Sequence, residues 1–296
     1  MFKNATLYRL TGGQVITATL AAITAGAAVF APTGPTQVKS IGWVPPREKN
    51  GLLAESIASH IIMSAMIETR TVPASAIDKW MDAAVEAIER ATGRKPGKAQ
   101  RRELKDNALL ELLPQAFPKA VRVLVWIDPA AGLVVLDTAS TSQADDVATL
   151  IAQSLGLSLA PVVTTQSPSF VLGSWLADDD AEFGGFAVGQ ECALKSDDEA
   201  ATMVSYTNAA LDTDEVRAHV RGGKRVTKLG VYWLDRIDCV LTDKLVLKKI
   251  DINAPPGGDA ADAFDADVAI FTGELAPMLV DLIEVMGGEP VDEGAS

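Results

Sequence analysis

Carboxylates and cations are the residues best supplied for chemistry in this 296-residue chain, because histidine and cysteine are nearly absent: His60, His219, Cys192 and Cys239 are the full complement. The cysteines lie far apart and form no CxxC pair, which suits a reducing compartment and offers neither a zinc site nor a disulfide framework. Two histidines leave no basis for a His-rich metal site or a His-based triad. A hard cation would instead call on aspartates, and Asp128, Asp137, Asp235, Asp238, Asp265 and Asp267 are the candidates, with Glu103-Leu104-Lys105 as the ExK of a magnesium nuclease. Ordinary structure accounts for the same residues. Aspartates at strand ends are commonly turn residues, and Glu103 among basic neighbours reads as an intrahelical ion pair. The phosphate-loop candidates fail on spacing. Three residues separate Gly93 from Gly97, and Ala99 stands where Ser or Thr must hold magnesium; Arg221-Gly222-Gly223-Lys224 is followed by Arg225. GxGxxG, HExxH and GxSxG do not occur. The expectation is a protein with no catalytic residues, no metal and no cofactor, and therefore not an enzyme.

Cations cluster where the overall charge gives no hint of it. The formal net charge is -13, which taken alone argues against a nucleic-acid partner. Yet Arg94, Lys95, Lys98, Arg101, Arg102 and Lys105 fall within one short stretch countered only by Glu103. If that stretch is helical, Lys98, Arg101, Arg102 and Lys105 share a face by i, i+3 and i, i+4 spacing. A second cluster, Arg217, Arg221, Lys224, Arg225 and Lys228, spans a helix end, a Gly-Gly turn and a strand. Gly222 and Gly223 allow close backbone approach to a partner there. On charge alone, each cluster reads equally as a solvated surface with cations complementing a helix C-terminus.

Periodicity supplies the elements that must carry these residues. A strand is expected over Ala5 to Leu10, a helix over Val15 to Phe30, and a loose strand over Ser59 to Arg70. Apolar residues at helical spacing (Ile77, Trp80, Met81, Ala84, Val85, Ile88) predict a helix over Ala76 to Thr92, with Ser75 as N-cap. A Gly-Pro loop and a second helix from Lys98 to Leu113 complete a helical hairpin. Strands Val121 to Asp128 and Leu133 to Thr138 form a β-hairpin backed by a helix over Asp145 to Leu155. Pro161 to Pro168 marks a boundary between halves 1–165 and 166–296, the hairpin excursion 73–117 belonging to the first. Asp178-Asp179-Asp180 reads as a solvated loop or helix end. A helix over Asp212 to Val220, capped by Asp212 or Thr213, leads into a meander from Thr227 to Ile252. Val268 to Thr272 is expected as a strand before a last helix over Leu275 to Met286. The class is α+β (mixed α/β), with antiparallel hairpins. The run from Val15 to Ala31 behind Lys3 and Arg9 imitates a signal peptide. It is rich in Thr and Ala, poor in Leu and interrupted by Gly26, so a packed helix is expected rather than an export signal or a membrane span.

Short motifs recur in order along the whole chain. They are Met1-Phe2-Lys3-Asn4 with Tyr8-Arg9-Leu10, Gly42-Trp43-Val44-Pro45-Pro46, and Gly93-Arg94-Lys95-Pro96 with Leu104-Lys105-Asp106. Leu112-Leu113-Pro114-Gln115-Ala116-Phe117 and Trp126-Ile127-Asp128 follow, then Gly223-Lys224 with Val226-Thr227-Lys228-Leu229, and Trp233 with Arg236-Ile237. Phe264-Asp265-Ala266-Asp267 with Thr272-Gly273-Glu274-Leu275 ends the series. In this order and spacing the chain resembles the RdgC family. The resemblance implies a cytoplasmic, nucleoid-associated protein whose two subunits close into a ring around double-stranded DNA, with no sequence preference. It also implies restraint of RecA-type recombinases through occupation of their DNA, and neither catalysis nor cofactor. A ring acidic outside and basic inside reconciles the net charge, with Arg94, Lys95, Lys98, Arg101, Arg102, Lys105, Arg221, Lys224, Arg225 and Lys228 as the phosphate-binding set. Phe117, held between Pro114 and Pro118, is expected to be exposed and to anchor a subunit contact. One departure stands out: Ser205 to Leu211 has no Lys or Arg where the family offers basic residues. The alternative is an acidic inhibitor that contacts a recombinase directly. Trp43, Trp126 and Trp233 are read as core residues, since a duplex offers no unstacked base.

Overall fold

A computed structural model describes residues 1–13, 15–47, 51–177, 183–196, 202–253 and 263–290. In chain order these form β1 (Asn4–Thr11), α1 (Ala18–Ala25), β2 (Lys39–Val44), β3 (Ala54–Ile57), β4 (His60–Arg70), α2 (Ala74–Thr92) and α3 (Lys98–Leu112). Next come β5 (Pro118–Asp128), β6 (Leu133–Leu136), α4 (Thr141–Leu155), β7 (Ser158–Pro161) and α5 (Pro168–Ala177). The chain continues through β8 (Phe186–Lys195), β9 (Met203–Thr207), α6 (Asp214–Arg221), β10 (Arg225–Trp233), β11 (Ile237–Thr242), β12 (Leu247–Ile252) and α7 (Ala263–Val285). The described strands make one 12-stranded sheet in the order β2-β4-β5-β6-β1-β12-β11-β10-β8-β9, with β3 added on β4 and β7 on β1. The fold is thus mixed α+β, built on antiparallel pairing. Among the described residues no helix is long and apolar enough to cross a membrane.

β1 joins the two parts of the sheet. Its first residues pair with β12 (Asn4↔Lys248, Ala5↔Leu247), and its later ones lie between β6 and β7. Because alternate strand residues point to opposite faces, this central region feeds two cores. Leu7, Ile62, Trp126 and Val135 pack with α7 and the β8–β12 strands, whereas Tyr8, Ile61, Met63, Val125, Ile127 and Val134 pack beneath α1 and α4. Burial on both faces explains why β6 is the unbroken apolar run Leu133-Val134-Val135-Leu136. Trp43, Trp126 and Trp233 are fully buried, as expected of core residues. Gly42 is obligatory for packing: a Cβ there would lie 2.5 Å from the Phe30 Cα.

α2 and α3 interrupt a strand pair. β4 and β5 are register partners out to Arg70↔Pro118, and the two helices occupy the chain between those residues. Arg70 ties the root of this arm. Its Nε donates to Thr33 Oγ1 (3.0 Å) and its Nη1 to the Ala116 carbonyl (2.8 Å), while Glu68 accepts from the Thr33 N–H and hydroxyl (2.7 and 2.6 Å). The α2 stripe of Ile77, Trp80, Met81, Ala84, Val85 and Ile88 is half-buried against α3, and no α2 residue is fully buried.

Several expectations are corrected. α2 starts at Ala74, so Ser75 lies inside it and caps nothing; the Pro73 carbonyl accepts from Ala76 and Ile77 instead. α1 covers only Ala18–Ala25, capped by Thr17, with Ala21 and Ala25 buried and Ile23 exposed. α4 begins at Thr141 behind the Ser140 cap. Val268 to Thr272 is helix, not strand: Val268, Phe271, Thr272, Leu275, Met278, Leu279 and Leu282 are buried at helical spacing, and this tertiary burial overrides the β-propensity of the run. α5, β8 and β9 fill a stretch for which periodicity gave no element. Asp178, Asp179 and Asp180 lie outside the described residues.

Candidate nucleic-acid interface

The first cluster sits on the arm. α2 ends on Gly93, whose φ of 69° is the left-handed conformation glycine adopts without strain, and its N–H bonds the Glu89 carbonyl. Arg94 and Lys95 form the connection, Pro96 is buried, and α3 begins after Gly97. Arg94, Lys95, Lys98, Arg101, Arg102 and Lys105 are all exposed, and among the described residues none of them forms an ion pair. The intrahelical pair expected of Glu103 does not form among the described residues either; its carboxylate is exposed. The helical spacing places Lys98, Arg101, Arg102 and Lys105 along one side of α3, a row that the buried Ala108 continues one turn further on. Phe117, at the base of the arm, is 93% exposed.

The second cluster is distributed differently. Thr213 caps α6 by accepting from the Val216 N–H, Asp214 and Glu215 occupy its first turn, and His219 and Arg221 its last. Charges so placed complement the helix macrodipole at both ends, so Arg221 has a structural use. Gly223, at φ 85°, makes the reversal, and the Lys224 N–H returns to the His219 carbonyl. The Lys224 ammonium then lies 2.9 Å from His219 Nδ1, and Arg225 pairs with Asp243 at 3.5 Å. A register shift between Val226 and Lys228 separates the remainder. Lys224 and Arg225 line a groove against α5, while Lys228 lines a different depression with Glu191, Tyr206 and Lys249. Lys224 and Arg225 thus line one depression and Lys228 another. Lys249, which pairs with Glu191 at 2.6 Å, joins Lys228 on that second surface. The Lys248-Lys249 doublet was its only sequence signal.

The candidate metal ligands are dispersed, and Asp128, Asp137 and Asp265 are engaged by other partners. Asp128 accepts from the Ala130 and Ala131 N–H groups (3.0 and 2.9 Å) as a turn cap. Asp137 accepts from the N–H groups of Lys3 and Asn4 (3.0 and 2.9 Å), holding the start of β1. Asp265 pairs with Arg47 at 2.9 Å, the guanidinium lying over the Phe264 ring. Asp235 sits in a turn at φ 54°. Asp238 is raised above the usual carboxylate range by desolvation first, with Asp251 and Asp235 adding to it. Asp267 is half-buried on α7. Among the described residues no three His, Cys, Asp or Glu side chains are grouped to hold a metal ion. Burial pushes the Cys192 thiol up to about 11 and raises Cys239 further, which leaves neither as a ready nucleophile.

Many motif residues prove to be structural staples. Arg9 forks onto Glu289 (Nε–Oε1 3.1 Å, Nη2–Oε2 2.6 Å), and Trp43 and Trp233 donate to Ser154 and Asp281. Arg236 pairs with Glu274, joining two motifs that are distant in sequence. Comparison with known proteins agrees with this whole-chain pattern. Residues 1–289 match the family described as "Putative exonuclease, RdgC". Proteins named Recombination-associated protein RdgC from Cupriavidus pinatubonensis and Herminiimonas arsenicoxydans are each 36% identical over 97% of this chain and 98% of their own length. The one from Burkholderia cenocepacia is 35% identical over 98% of this chain and 97% of its own. Motifs spread from the first strand to the last helix, a family match of the same extent, and relatives aligned end to end lead to one conclusion: the chain belongs to the RdgC family.

Proposed function

We propose that this is a recombination-associated protein that binds double-stranded DNA without reading its sequence, closes as a dimeric ring around the duplex, and restrains RecA-type recombination by occupying the DNA. The observation that carries this reading is the arm. In a chain of net charge -13, six exposed cations are gathered on an element that packs mainly on itself, and none is neutralised by a described neighbour. Phosphate contacts of this kind position a protein without conveying sequence. Phe117 on the same arm supplies an apolar anchor for a second copy of the chain. The protein acts without turnover, in the cytoplasm at the nucleoid, and its two halves, 1–165 and 166–296, both belong to the ring.

Binding to closed circular and linear duplexes of one sequence, in EDTA, tests the reading. A ring threaded on a closed circle is retained through a salt wash that strips it from the linear form, and equal release from both contradicts encirclement. Adding magnesium or manganese leaves both DNAs uncut. Cleavage abolished by Asp265→Asn or Asp267→Asn would put a nuclease in place of this reading. The net charge favours a second reading, an acidic inhibitor acting directly on a recombinase, for which DNA binding is absent and recombinase binding persists.

A further inference from the structure

The two ends of the sheet are finished differently. At one end the chain covers the outer edge of β2. Val29 bridges Trp43, the Phe30 N–H donates to the Trp43 carbonyl at 3.0 Å, and the Ser40 hydroxyl donates to the Ala31 carbonyl. At the other end β9 pairs with β8 alone. Among the described residues no hydrogen bond or ion pair reaches Met203, Ser205 or Thr207 from beyond that pairing.

The ladder determines which groups this edge offers. The Ser196 N–H donates to the Thr202 carbonyl at 2.9 Å, so Thr202 faces β8. In an antiparallel pair every second residue turns its N–H and C=O to the same side. Val204 and Tyr206 therefore also face β8, and Met203, Ser205 and Thr207 turn their backbone groups outward. Exposed edges are ordinarily blunted by charge, proline or a bulge. Met203-Val204-Ser205-Tyr206-Thr207 carries no charge and no proline, its register with β8 is unbroken, and Met203 is 62% exposed. Such a strand is a template for another strand.

This edge is its own complement. Laid antiparallel about a two-fold axis at Ser205, a second copy sets Ser205 against its own counterpart and Met203 against the counterpart of Thr207. Every outward N–H then meets a C=O, Val204 and Tyr206 become cross-strand neighbours, and no charge meets a like charge. A contact of this kind is isologous, the same surface serving on both sides. We propose that β9 pairs with β9 of a second copy of this chain, antiparallel and centred on Ser205, joining two sheets into one. The inference rests on the dimeric part of the function proposed above. The arm stands between β4 and β5 toward one end of the sheet and β9 closes the other, so two copies meeting at Phe117 close a ring through a second contact at β9. One strand pair suffices there, because the first contact makes the second intramolecular.

Cysteine cross-linking of the full chain reads the register, since Cys192 and Cys239 are buried. Directly opposed residues of a bonded pair lie about 5.5 Å apart at Cα, within disulfide reach. Ser205→Cys is expected to give a covalent dimer on mild oxidation, whereas Met203→Cys, whose counterpart lies further along the strand, gives none. Ser205→Pro removes an outward N–H and leaves the β8 ladder whole, since proline is tolerated where an edge N–H faces away from the sheet. Its melting temperature stays near the parent value, and sedimentation equilibrium is expected to show self-association weakened by about tenfold. Parent-like sedimentation of Ser205→Pro, or a covalent dimer from Met203→Cys in place of Ser205→Cys, overturns the proposal. The cross-links remain decisive if the proline disturbs β9. A parent dimer indifferent to these changes keeps the ring and removes this inference; a dimer that responds to them but has no duplex affinity keeps this inference and removes the DNA reading.

Discussion

The arm and the α6–β10 segment are the two most basic stretches of the molecule, and they use their charge in different ways. On the arm, Arg94 to Lys105 project from a helical hairpin that interrupts a strand pair, tied down at its root by Arg70 and otherwise resting on its own apolar stripe. Among the described residues none of those cations forms an ion pair. In the α6–β10 segment, by contrast, Arg221 complements a helix end, Lys224 turns to His219, Arg225 pairs with Asp243, and Lys228 faces another surface. Proximity in sequence thus measures a binding surface only where the element is free to present all its side chains outward. Where a turn and a register shift intervene, neighbours in the chain are dealt to different sites.

The largest expected effect follows from removing charge on the arm. Arg101→Ala with Arg102→Ala eliminates up to four phosphate contacts in a dimer and flattens the plot of log K against log[salt] by at most about four units, at about 0.9 per phosphate. AT-rich and GC-rich duplexes lose affinity equally, because their phosphates are the same. A loss confined to one sequence would indicate base contacts and break the contrast drawn above.

Phe117→Ala comes next. A residue 93% exposed contributes little to the fold, so the melting temperature stays at the parent value. Sedimentation equilibrium is expected to show self-association weakened by about tenfold, the ordinary consequence of truncating an aromatic anchor. Unchanged sedimentation removes Phe117 from the interface. Smaller again is the double change Lys224→Ala with Arg225→Ala. Since Arg225 already pairs with Asp243, the salt slope of the dimer falls by at most about two units, and loss of that partly exposed pair costs about 0.5 kcal/mol or less in a denaturant titration. A slope change as large as that of the arm variant would erase the difference between the two regions.

The elements behind this contrast were largely legible in the sequence, but the contrast itself was not. The α2 stripe at helical spacing, the Gly93 and Gly97 breaks and the Pro114 stop located the arm, and Asp212 or Thr213 announced the start of α6, Thr213 proving to be the cap. The β5–β6 hairpin and the β10–β12 meander were equally plain from alternation and turn residues. Other parts were not, for physical reasons. Val268 to Thr272 is a short run of β-branched and aromatic residues whose local preference is strand, and only its burial in the main core makes it helix. α5 is apolar nearly all round, so it has no face for periodicity to detect. The separation of Lys228 from Lys224 depends on an irregularity in strand register, which no single-sequence pattern encodes.

The smallest expected effect concerns the root of the arm. Hydrogen bonds from the Thr33 hydroxyl and N–H hold the Glu68 carboxyl below the usual carboxylate range, with Arg70 a lesser cause. A carboxylate whose pKa is depressed by folding contributes stability that is complete above its unfolded pKa and is lost as pH falls through the folded value. Thermal melts from neutral to strongly acid pH should therefore decline slightly more steeply in the parent than in Glu68→Gln. Parallel curves would show that this contact does not hold the arm.

The central claim, that an acidic protein binds duplex DNA through cations gathered on its arm, is tested most directly by the salt dependence of the unmodified protein. Affinity for a duplex measured across a range of salt concentrations is predicted to give a straight line in log–log form, with a slope near -0.9 for every phosphate neutralised, steep enough to require several contacts per subunit. A slope near zero would contradict the account and leave the acidic inhibitor as the better reading of this chain.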